Sequence, residues 1–204
     1  MPQIDPSATA PQDLYKLLIG LVIPRPIAFV SSLSADGVPN LAPFSFFTVV
    51  SANPPVICFS PMRKAGDAGQ KDTLANIEAT KEFTVSIVSE SFAEKMNLCS
   101  GDYPPDVDEF KVSGLTPLKS DLVAPARVGE SLATMECRLV QVVHVSDKPL
   151  GGSLVLGEVL RFHVADELFH NFRIDPDVLH AIGRMGGPAY TRTQDRFEIQ
   201  RPQV

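Results

Sequence analysis

The chain has 204 residues, a length that fits one large domain better than two. Its composition, 44% hydrophobic and 21% charged, describes a chain that can bury a core, which excludes disorder over the whole length. The 18 Lys and Arg against 24 Asp and Glu leave a formal net charge of −6, and this balance argues against nucleic acid as a partner.

The beginning of the chain has no pattern typical of a membrane span or a signal peptide. The uncharged apolar stretch at residues 17–24 is far shorter than the roughly 18 residues that a helical span needs. Residues 1–10 lack a basic start and an apolar centre, and they include Asp5. The three cysteines are widely spaced, form no Cys-x-x-Cys pair and are interpreted as buried thiols. We therefore expect a soluble, cytoplasmic protein with no membrane partner.

The 18 prolines favour short strands and loops over long helices. In chain order the patterns predict an extended arm (1–11), a helix (12–19) that stops at Gly20, a strand (27–34), a turn (35–37), a returning strand (38–48) that is irregular near Pro39 and Pro43, and a buried strand (56–60). They then predict a loop (62–70), a helix capped by Asp72 or Thr73 and ending near residue 79, a strand (83–88), a helix (90–98) and a loop (102–121).

Two long strands, 132–145 and 153–165, follow, joined by a turn. In the first, alternation places Thr134, Glu136, Arg138 and His144 on the polar face. Antiparallel strands with a few small helices indicate a mainly β protein and a β-barrel rather than alternating βαβ units. We expect a single domain over residues 1–204, with a C-terminal extension at about 166–204.

Familiar catalytic and nucleotide-binding motifs are absent from the sequence. It has no Gly-x-Ser-x-Gly elbow, no Gly-x-Gly-x-x-Gly and no P-loop. The four histidines lack the His-Glu-x-x-His spacing and have no carboxylate cluster beside them, so we predict no metal site. No side chain is predicted to act as a catalytic nucleophile or base.

A group of cations stands out on this acidic chain. Arg63, Lys64 and Lys71 lie in a glycine-bearing loop that leads directly into the helix start at Asp72 and Thr73. Amide groups at a helix start, the Thr73 hydroxyl and Lys71 can together bind a phosphate. A solvated basic loop with an ordinary helix cap explains the same residues equally well.

Residues 41–50 contain three phenylalanines with one serine and one threonine. They can form a wall against a flat ring, with amide groups near Ser45 and Phe46 left free where the strand is irregular. The alternative is a core strand, which is the better interpretation for Phe44 and Phe47.

Seven short motifs follow one another along the chain: Pro24-Arg25-Pro26-Ile27-Ala28-Phe29-Val30-Ser31, Asp36-Gly37, Asn40-Leu41-Ala42-Pro43-Phe44-Ser45-Phe46-Phe47, Pro54-Pro55, Lys71-Asp72-Thr73-Leu74-Ala75-Asn76-Ile77, Glu82-Phe83 and Gly157-Glu158-Val159. In this order and spacing they resemble the flavin reductase-like family of FMN-binding split-barrel proteins. The resemblance covers roughly residues 14 to 165. Residues 183–187 and Tyr190 are similar to the tail of one branch of that family.

The resemblance implies a six-stranded antiparallel split β-barrel and a homodimer with FMN in a groove at the subunit interface. The residues that it carries over are Ser45, Phe46 and Phe47 for the isoalloxazine ring, Ser31 and Ser60 for the ribityl chain or the phosphate, Lys71 and Thr73 for the phosphate, and Arg25 for the site region. It leaves open whether Arg63, Lys64, Arg184 and Tyr190 reach the flavin.

The same resemblance implies an FMN-dependent oxidoreductase that takes hydride from NADH or NADPH and passes electrons to free flavin or to another acceptor, including a partner protein. Because the flavin carries this chemistry, neither a protein nucleophile nor a metal is required. Two alternatives stay open: an FMN-binding electron carrier without nicotinamide turnover, and a flavoenzyme that acts directly on a small organic substrate. His144, His163 and His170 are interpreted as structural, with a place on the substrate face left open.

Overall fold

A computed structural model describes residues 1–66 and 69–203 of the chain. Its strands are β1 (Ala28–Leu33), β2 (Pro39–Phe44), β3 (Phe47–Ala52), β4 (Pro55–Phe59), β5 (Glu82–Ile87), β6 (Pro117–Leu118), β7 (Arg127–Val128), β8 (Ala133–His144), β9 (Ser153–Val164), β10 (Phe169–His170), β11 (Arg173–Ile174), β12 (Ile182–Arg184) and β13 (Tyr190–Arg192). Its α-helices are α1 (Pro11–Leu21), α2 (Asp72–Thr80), α3 (Ala93–Leu98), α4 (Glu109–Ser113) and α5 (Pro176–Leu179). Single 3₁₀ turns cover Pro6–Ala8, Glu90–Phe92 and Asp166–Leu168.

Seven strands form the main sheet, in the order β2-β1-β5-β8-β9-β4-β3, and every neighbouring pair is antiparallel. The mainly β architecture with small helices is confirmed. The expected count of six strands is wrong by one, because the stretch 38–48 forms two strands, β2 and β3. These two strands are the edges of the sheet, which does not close into a barrel between them.

The break between β2 and β3 falls at Ser45 and Phe46 rather than at a proline. Pro39 and Pro43 both lie within β2, paired with β1. Because β2 is an edge strand, a residue without an N–H group can be accommodated there without the loss of a ladder bond. The predicted irregularity near these two prolines was therefore wrong in its position.

Two apolar clusters pack on the two faces of β1. One contains Phe29 and joins the sheet to α3 and α4. The other contains Val30 and includes Leu74 and Ile77 from α2. Since side chains alternate along a strand, β1 is buried on both faces, and Leu74 and Ile77 hold α2 against one of them.

The predicted polar face of β8 is wrong at its beginning, where Thr134 and Glu136 are buried. Glu136 accepts hydrogen bonds from the amides of Asp121 and Leu122, at 2.8 and 2.6 Å, so this face is covered by the preceding loop rather than by water. Register shifts after Glu136 and between Leu139 and Gln141 also interrupt the period of two.

The predicted helices need three corrections. The first helix continues through Gly20 to Leu21, because the Arg25 guanidinium binds carbonyl groups at its end. The predicted helix 90–98 is a 3₁₀ turn followed by α3. The predicted loop 102–121 contains α4, which is capped by the Asp108 carboxylate. None of the described helices is long and apolar enough to cross a membrane.

The C-terminal extension folds back onto the body of the protein. Ile182 of β12 belongs to the cluster around Phe29. The backbones of Arg25 and Arg184 exchange two hydrogen bonds of 3.0 and 2.8 Å. This contact places the β12–β13 hairpin beside the segment that follows α1.

Candidate functional site

An open cleft of about 260 Å³ lies between α1, the β2–β3 junction, the end of β4 and the start of α2, with residues 99–103 also in its lining. Its lining includes Ser45 and Phe46 from the junction, Ser60 after β4, and Lys71, Asp72 and Thr73 from the start of α2. The cleft therefore brings together both regions that the sequence singled out.

The β2–β3 junction presents backbone donors to the cleft. The Phe46 carbonyl accepts a hydrogen bond of 2.8 Å from the Ser60 amide, which holds the end of β4 against the junction. The N–H groups of Ser45 and Phe46 donate to no acceptor among the described residues. A ligand with carbonyl or ring-nitrogen acceptors can satisfy these amides, and the Phe46 side chain offers it an apolar surface.

Arg25 positions this junction from behind. It is 4% exposed, and its Nε donates to the Ser45 hydroxyl at 3.2 Å. Its terminal nitrogens donate to the carbonyls of Ile19, Val22 and Met185 at 2.7 to 2.9 Å. Burial lowers the pKa of the guanidinium from its usual value. Arg25 does not line the cleft; it ties α1, the junction and the C-terminal segment together.

The first turn of α2 borders the cleft and has two amide groups for which the described part of the chain provides no acceptor. Lys71 is the N-cap residue and makes no side-chain cap, so the predicted cap by Asp72 or Thr73 is wrong. The amides of Leu74 and Ala75 donate to the Lys71 carbonyl, while those of Asp72 and Thr73 donate to no described acceptor. Such amides, at the positive end of a helix dipole, form an anion-binding position.

A buried polar network holds this turn in place. The Asn40 side-chain amide donates to the Thr73 hydroxyl at 2.7 Å and to the Ser32 hydroxyl at 3.3 Å. Asn76 donates to the same Ser32 hydroxyl at 3.2 Å. All four side chains are buried, so the network fixes α2 to β1 and β2 and preorganises the helix start.

Two lysines face the same position and share one acid. Asp102 lies 2.8 Å from the Lys64 ammonium and 3.5 Å from that of Lys71. The hydrogen bond to Lys64 and the two positive charges lower the pKa of Asp102 from its usual value. Lys71, which the resemblance assigned to the phosphate, and Lys64, whose contact it left open, thus converge on one carboxylate beside the start of α2.

A buried carboxyl group lies on the other side of the cleft. Glu109 of α4 is 7% exposed, and its Oε2 accepts a hydrogen bond of 3.0 Å from the Leu41 amide. Burial raises the pKa of Glu109, and the negative charges of Asp72 and Asp108 act in the same direction. Glu109 therefore anchors α4 to β2 near the cleft.

Five of the eight predicted cofactor-binding residues meet in the cleft lining: Ser45, Phe46, Ser60, Lys71 and Thr73. Arg25, Ser31 and Phe47 do not line it. Phe47 packs against the apolar cluster around Val30. Ser31 is buried with no described hydrogen-bond partner, whereas its neighbour Ser32 joins the network below Thr73.

The resemblance left open whether Arg63, Arg184 and Tyr190 reach the flavin, and these three residues lie in two places. The Arg63 amide donates to the Gly151 carbonyl at 2.7 Å, next to the bridge between Met62 and Gly152. Arg184 and Tyr190 lie on the β12–β13 hairpin, beside the cleft rather than in it. Within the predicted loop 62–70, Asp67 and Ala68 fall outside the described residues.

The histidines and cysteines supply no nucleophile to the cleft. His144 contacts Ser153 and Glu78 at 3.1 Å each, His163 contacts Glu136 at 2.6 Å, and His170 lies on β10. The three cysteines are buried and form no disulfide, as predicted. Cys99 borders the cleft, but burial raises the pKa of its thiol to about 11, so it is protonated at neutral pH.

One group among the described residues has the side-chain types of a metal site. Ligand atoms of Asp121, Glu136 and His163 lie within 4.8 Å of one another. Glu136 already accepts hydrogen bonds from two backbone amides and from His163, while Asp121 pairs with Arg161 at 2.5 Å. These contacts account for the cluster as an anchor of the loop before β7.

Sequence reasoning missed Asn40, Asp102 and Glu109 as neighbours of the site. Asn40 lies inside one of the motifs that resemble the family, so its position was a usable signal. The stretch 102–121 has the pattern of a loop, and no local pattern connects Asp102 or Glu109 with the predicted phosphate site at Lys71 and Thr73. Only the packing of α3 and α4 on β2 brings them to the cleft.

Comparisons with known proteins identify the family and the fold of the chain. A family model described as flavin reductase like domain matches residues 20–187. The structure of nitrilotriacetate monooxygenase component B from Bacillus cereus is 38% identical, with a TM-score of 0.92 over 98% of each chain. That of 2-nitrobenzoate 2-nitroreductase from Pseudomonas fluorescens is 32% identical, with a TM-score of 0.88 over 98% of this chain and 96% of the other.

A third structure, from Shewanella frigidimarina, is described as having a split barrel domain. Its TM-score is 0.84 at 21% identity, over 99% of this chain and all of the other. At this level of identity the similarity supports the fold and no further property. Together these findings confirm the split-barrel fold and the family resemblance that the motifs carry.

Proposed function

Because this chain belongs to the flavin reductase-like family, we propose that it binds FMN in the cleft and is an oxidoreductase that uses NADH or NADPH as its electron donor. One observation carries the proposal. Backbone amides with no acceptor among the described residues occur at two places in one cleft, at Ser45 and Phe46 and at Asp72 and Thr73. A planar ring with several acceptor atoms, joined to a phosphate, matches both sets of donors.

At the α2 end, the amides of Asp72 and Thr73 and the side chains of Lys71, Lys64 and Ser60 are the proposed phosphate ligands. At the β2–β3 junction, the amides of Ser45 and Phe46 are the proposed ligands of the isoalloxazine ring. The buried network below Thr73 and the Arg25 contacts behind Ser45 hold both ends rigid, so little ordering is needed on binding.

When bound, FMN supplies a group that accepts hydride and passes electrons on. The side chains of the chain itself then need only bind the flavin, orient it and limit the access of water. The proposed chemistry therefore fits a cleft in which the Cys99 thiol is protonated and whose lining, as far as the chain is described, contains no histidine.

The acceptor is proposed from the relatives. One relative is named as component B of a monooxygenase, which supports electron delivery to free flavin or to a partner protein. Another is named as a nitroreductase of 2-nitrobenzoate, which supports the second candidate, direct reduction of a small organic substrate. A second cavity adjoins the cleft, and this space for a small substrate favours the second candidate function.

We also propose a homodimer with the flavin near its interface. The helix α1 contributes Tyr15 to the cleft, yet none of its residues is buried. Leu18 and Leu21 on this helix are 57% and 78% exposed. An apolar helix surface that borders the cleft and stays exposed among the described residues supports burial against a second copy.

A direct test is titration of the purified protein with FMN and with riboflavin, followed by absorbance and fluorescence. The Lys71→Ala variant is expected to bind FMN more weakly by about 1.5 to 3 kcal/mol, because it removes a charge-assisted bond to the phosphate. Its affinity for riboflavin, which lacks the phosphate, is expected to stay the same. Lys119→Ala, an exposed lysine away from the cleft, is the matched control.

Failure of the wild-type protein to bind either flavin would overturn the proposed function. If Lys71→Ala and wild type bind FMN equally tightly, the proposed phosphate position at the start of α2 is wrong. Anaerobic mixing of the FMN-loaded protein with NADH or NADPH then tests the donor: repeated turnover with an added acceptor supports the reductase. Absence of flavin bleaching with both nucleotides supports the electron carrier instead.

A further inference from the structure

A second cavity of about 200 Å³ adjoins the cleft. Tyr15, Pro43, Ser45 and Ser100 line both spaces, so the two meet at the β2–β3 junction, the proposed ring end of the flavin site. The far side of the second cavity is formed by Arg184 and Tyr190 of the β12–β13 hairpin. The C-terminal segment thus completes a space beside the junction.

Arg184 differs from Arg192 and Arg196 of the same segment. Arg192 pairs with Glu90, and Arg196 pairs with Asp177. The Arg184 guanidinium instead lies 4.5 Å from the centre of the Tyr190 ring and makes no ion pair or side-chain hydrogen bond with any described residue. The aromatic contact fixes the orientation of the guanidinium and leaves its N–H groups for a ligand.

A second positive charge lies close by. Arg25 is buried next to the cavity, and it too has no carboxylate partner among the described residues. Burial is the main cause that lowers the pKa of Arg25, Tyr15 opposes this shift, and the nearby Arg184 adds to it. Two guanidinium groups without an acid between them favour an anion in this cavity.

The remaining walls are suited to a flat apolar ring. Ile27, Pro43 and Met96 supply aliphatic surface, and Tyr15 and Tyr190 supply aromatic surface. The Tyr190 hydroxyl contacts the Asn97 side chain at 3.2 Å, which ties the hairpin to α3. A cavity of about 200 Å³ accommodates a single ring with one acid group and is small for a whole dinucleotide.

We propose that this cavity is a substrate subsite for a small aromatic carboxylate, with Arg184 as the ligand of the carboxylate and the two tyrosines as walls for the ring. The proposal rests on the proposed function, because a flavin ring at the junction is what makes an adjoining cavity a place for its substrate. Arg184 would act in binding and selectivity, without contact to the phosphate end of the cleft.

The test compares benzoate with benzamide, which has the same ring without the charge, by calorimetric titration of the protein with and without FMN. Wild type is expected to bind benzoate about tenfold more tightly than benzamide. Arg184→Gln is expected to lose this preference by weakening benzoate alone, and Arg184→Lys to keep part of it. Arg173→Gln, an exposed arginine on β11, is the charge-matched control and is expected to bind as wild type does.

The outcomes separate this inference from the proposed function. If FMN binds but benzoate shows no preference over benzamide, or the preference survives in Arg184→Gln, the subsite is wrong and the flavin site stands. If FMN does not bind, the substrate role falls with the proposed function, whatever benzoate does. Circular dichroism of Arg184→Gln checks that it is folded, and if it is not, the benzoate preference of Arg184→Lys relative to wild type decides instead.

Discussion

Asp102 is a carboxylate that lies where the cleft offers its positive charge. It pairs with Lys64 and Lys71, and its side chain is 61% exposed. Because water already reaches the carboxylate, its ion pairs with the lysines can be broken at a small cost in free energy. An incoming phosphate has to replace it as the partner of both lysines. Asp102 is therefore a competitor of the proposed ligand and a group that keeps the two cations from repelling each other before binding.

Asp102→Asn is expected to bind FMN about twofold to fivefold more tightly than wild type, because the competing negative charge is gone and exposed ion pairs are weak. Riboflavin affinity is expected to stay unchanged. Asp106→Asn, an exposed acid four residues further on, changes the net charge equally and serves as control in the same fluorescence titration. Weaker FMN binding by Asp102→Asn would mean that Asp102 orients the lysines and does not compete.

Glu136 is a buried carboxylate whose charge is compensated by its neighbours. Burial alone would raise the pKa of Glu136, but the amide of Asp121, the His163 ring and the amide of Leu122 together lower it below its usual value. The folded state thus binds the proton of this group less tightly than the unfolded chain does. Its contribution to stability is present above the ordinary carboxyl pKa and is lost as the pH falls.

Glu136→Gln is expected to reduce the free energy of unfolding by about 1 to 3 kcal/mol at pH 7, since its NH₂ group opposes a backbone donor. The difference from wild type is expected to shrink as the pH falls through the acid range, where the wild-type carboxylate is protonated too. Urea unfolding at several pH values measures both effects, with Glu167→Gln, an exposed acid, as control. A difference that grows toward acid pH would contradict the assigned sign.

At the scale of elements, local sequence pattern predicts the positions of most strands of the main sheet. It does not predict where one strand ends and the next begins. Alternation and β-branched residues predicted β1, β4, β5, β8 and β9 to within a few residues. The separation of β2 from β3 depends on Arg25, which lies 20 residues earlier and holds the Ser45 hydroxyl, and on the Ser60 amide, which holds the Phe46 carbonyl. No window of sequence around residue 45 contains either contact.

The residues of the candidate site also divide into those that local motifs predict and those that only tertiary packing brings to the cleft. Motifs in short segments predicted Lys71, Thr73, Ser45 and Phe46, all of which line the cleft, because each motif carries its own turn or helix start. Asp102 and Glu109 were not found, because they reach the cleft through tertiary packing of α3 and α4 on β2. The face assignment of Glu136 failed for a related reason, since the loop that covers it lies 14 residues earlier.

Alanine substitutions at Gly157 and Gly20 test how tightly β9 and α1 are packed. A Cβ atom on Gly157 of β9 would lie 2.3 Å from the Phe83 ring, inside the cluster around Val30. Gly157→Ala is therefore expected to lower the free energy of unfolding by about 1 to 3 kcal/mol through overpacking. A Cβ atom on Gly20 of α1 meets nothing within 4 Å, so Gly20→Ala is expected to raise it by about 0.5 to 1 kcal/mol.

Urea unfolding at pH 7 measures both variants. The two substitutions add the same methyl group, so the opposite signs isolate the contact with Phe83 from the intrinsic preference for alanine. A neutral or stabilising Gly157→Ala would show that the Phe83 ring can move aside. A destabilising Gly20→Ala would show that the last turn of α1 is packed against something outside this chain, such as a second copy.

At the scale of the whole molecule, the net charge of −6 opposes the approach of an anionic cofactor and of a second copy of the chain. Local features have to overcome it: the lysines at the start of α2 for the phosphate, and exposed apolar side chains on α1 for association. Because α1 also lines the cleft, affinity for FMN and assembly are expected to be linked.

Dilution of the FMN-loaded protein is therefore expected to release FMN over the same concentration range in which the dimer dissociates, as followed by flavin fluorescence and analytical ultracentrifugation. Leu21→Glu on α1 places a charge in the exposed apolar surface and is expected to shift both transitions to higher protein concentration by about tenfold or more. Leu122→Glu, on an exposed leucine of the loop before β7, is the control for the added charge. A monomer that keeps full affinity for FMN would refute the shared site, because a groove completed by a second copy cannot survive its loss.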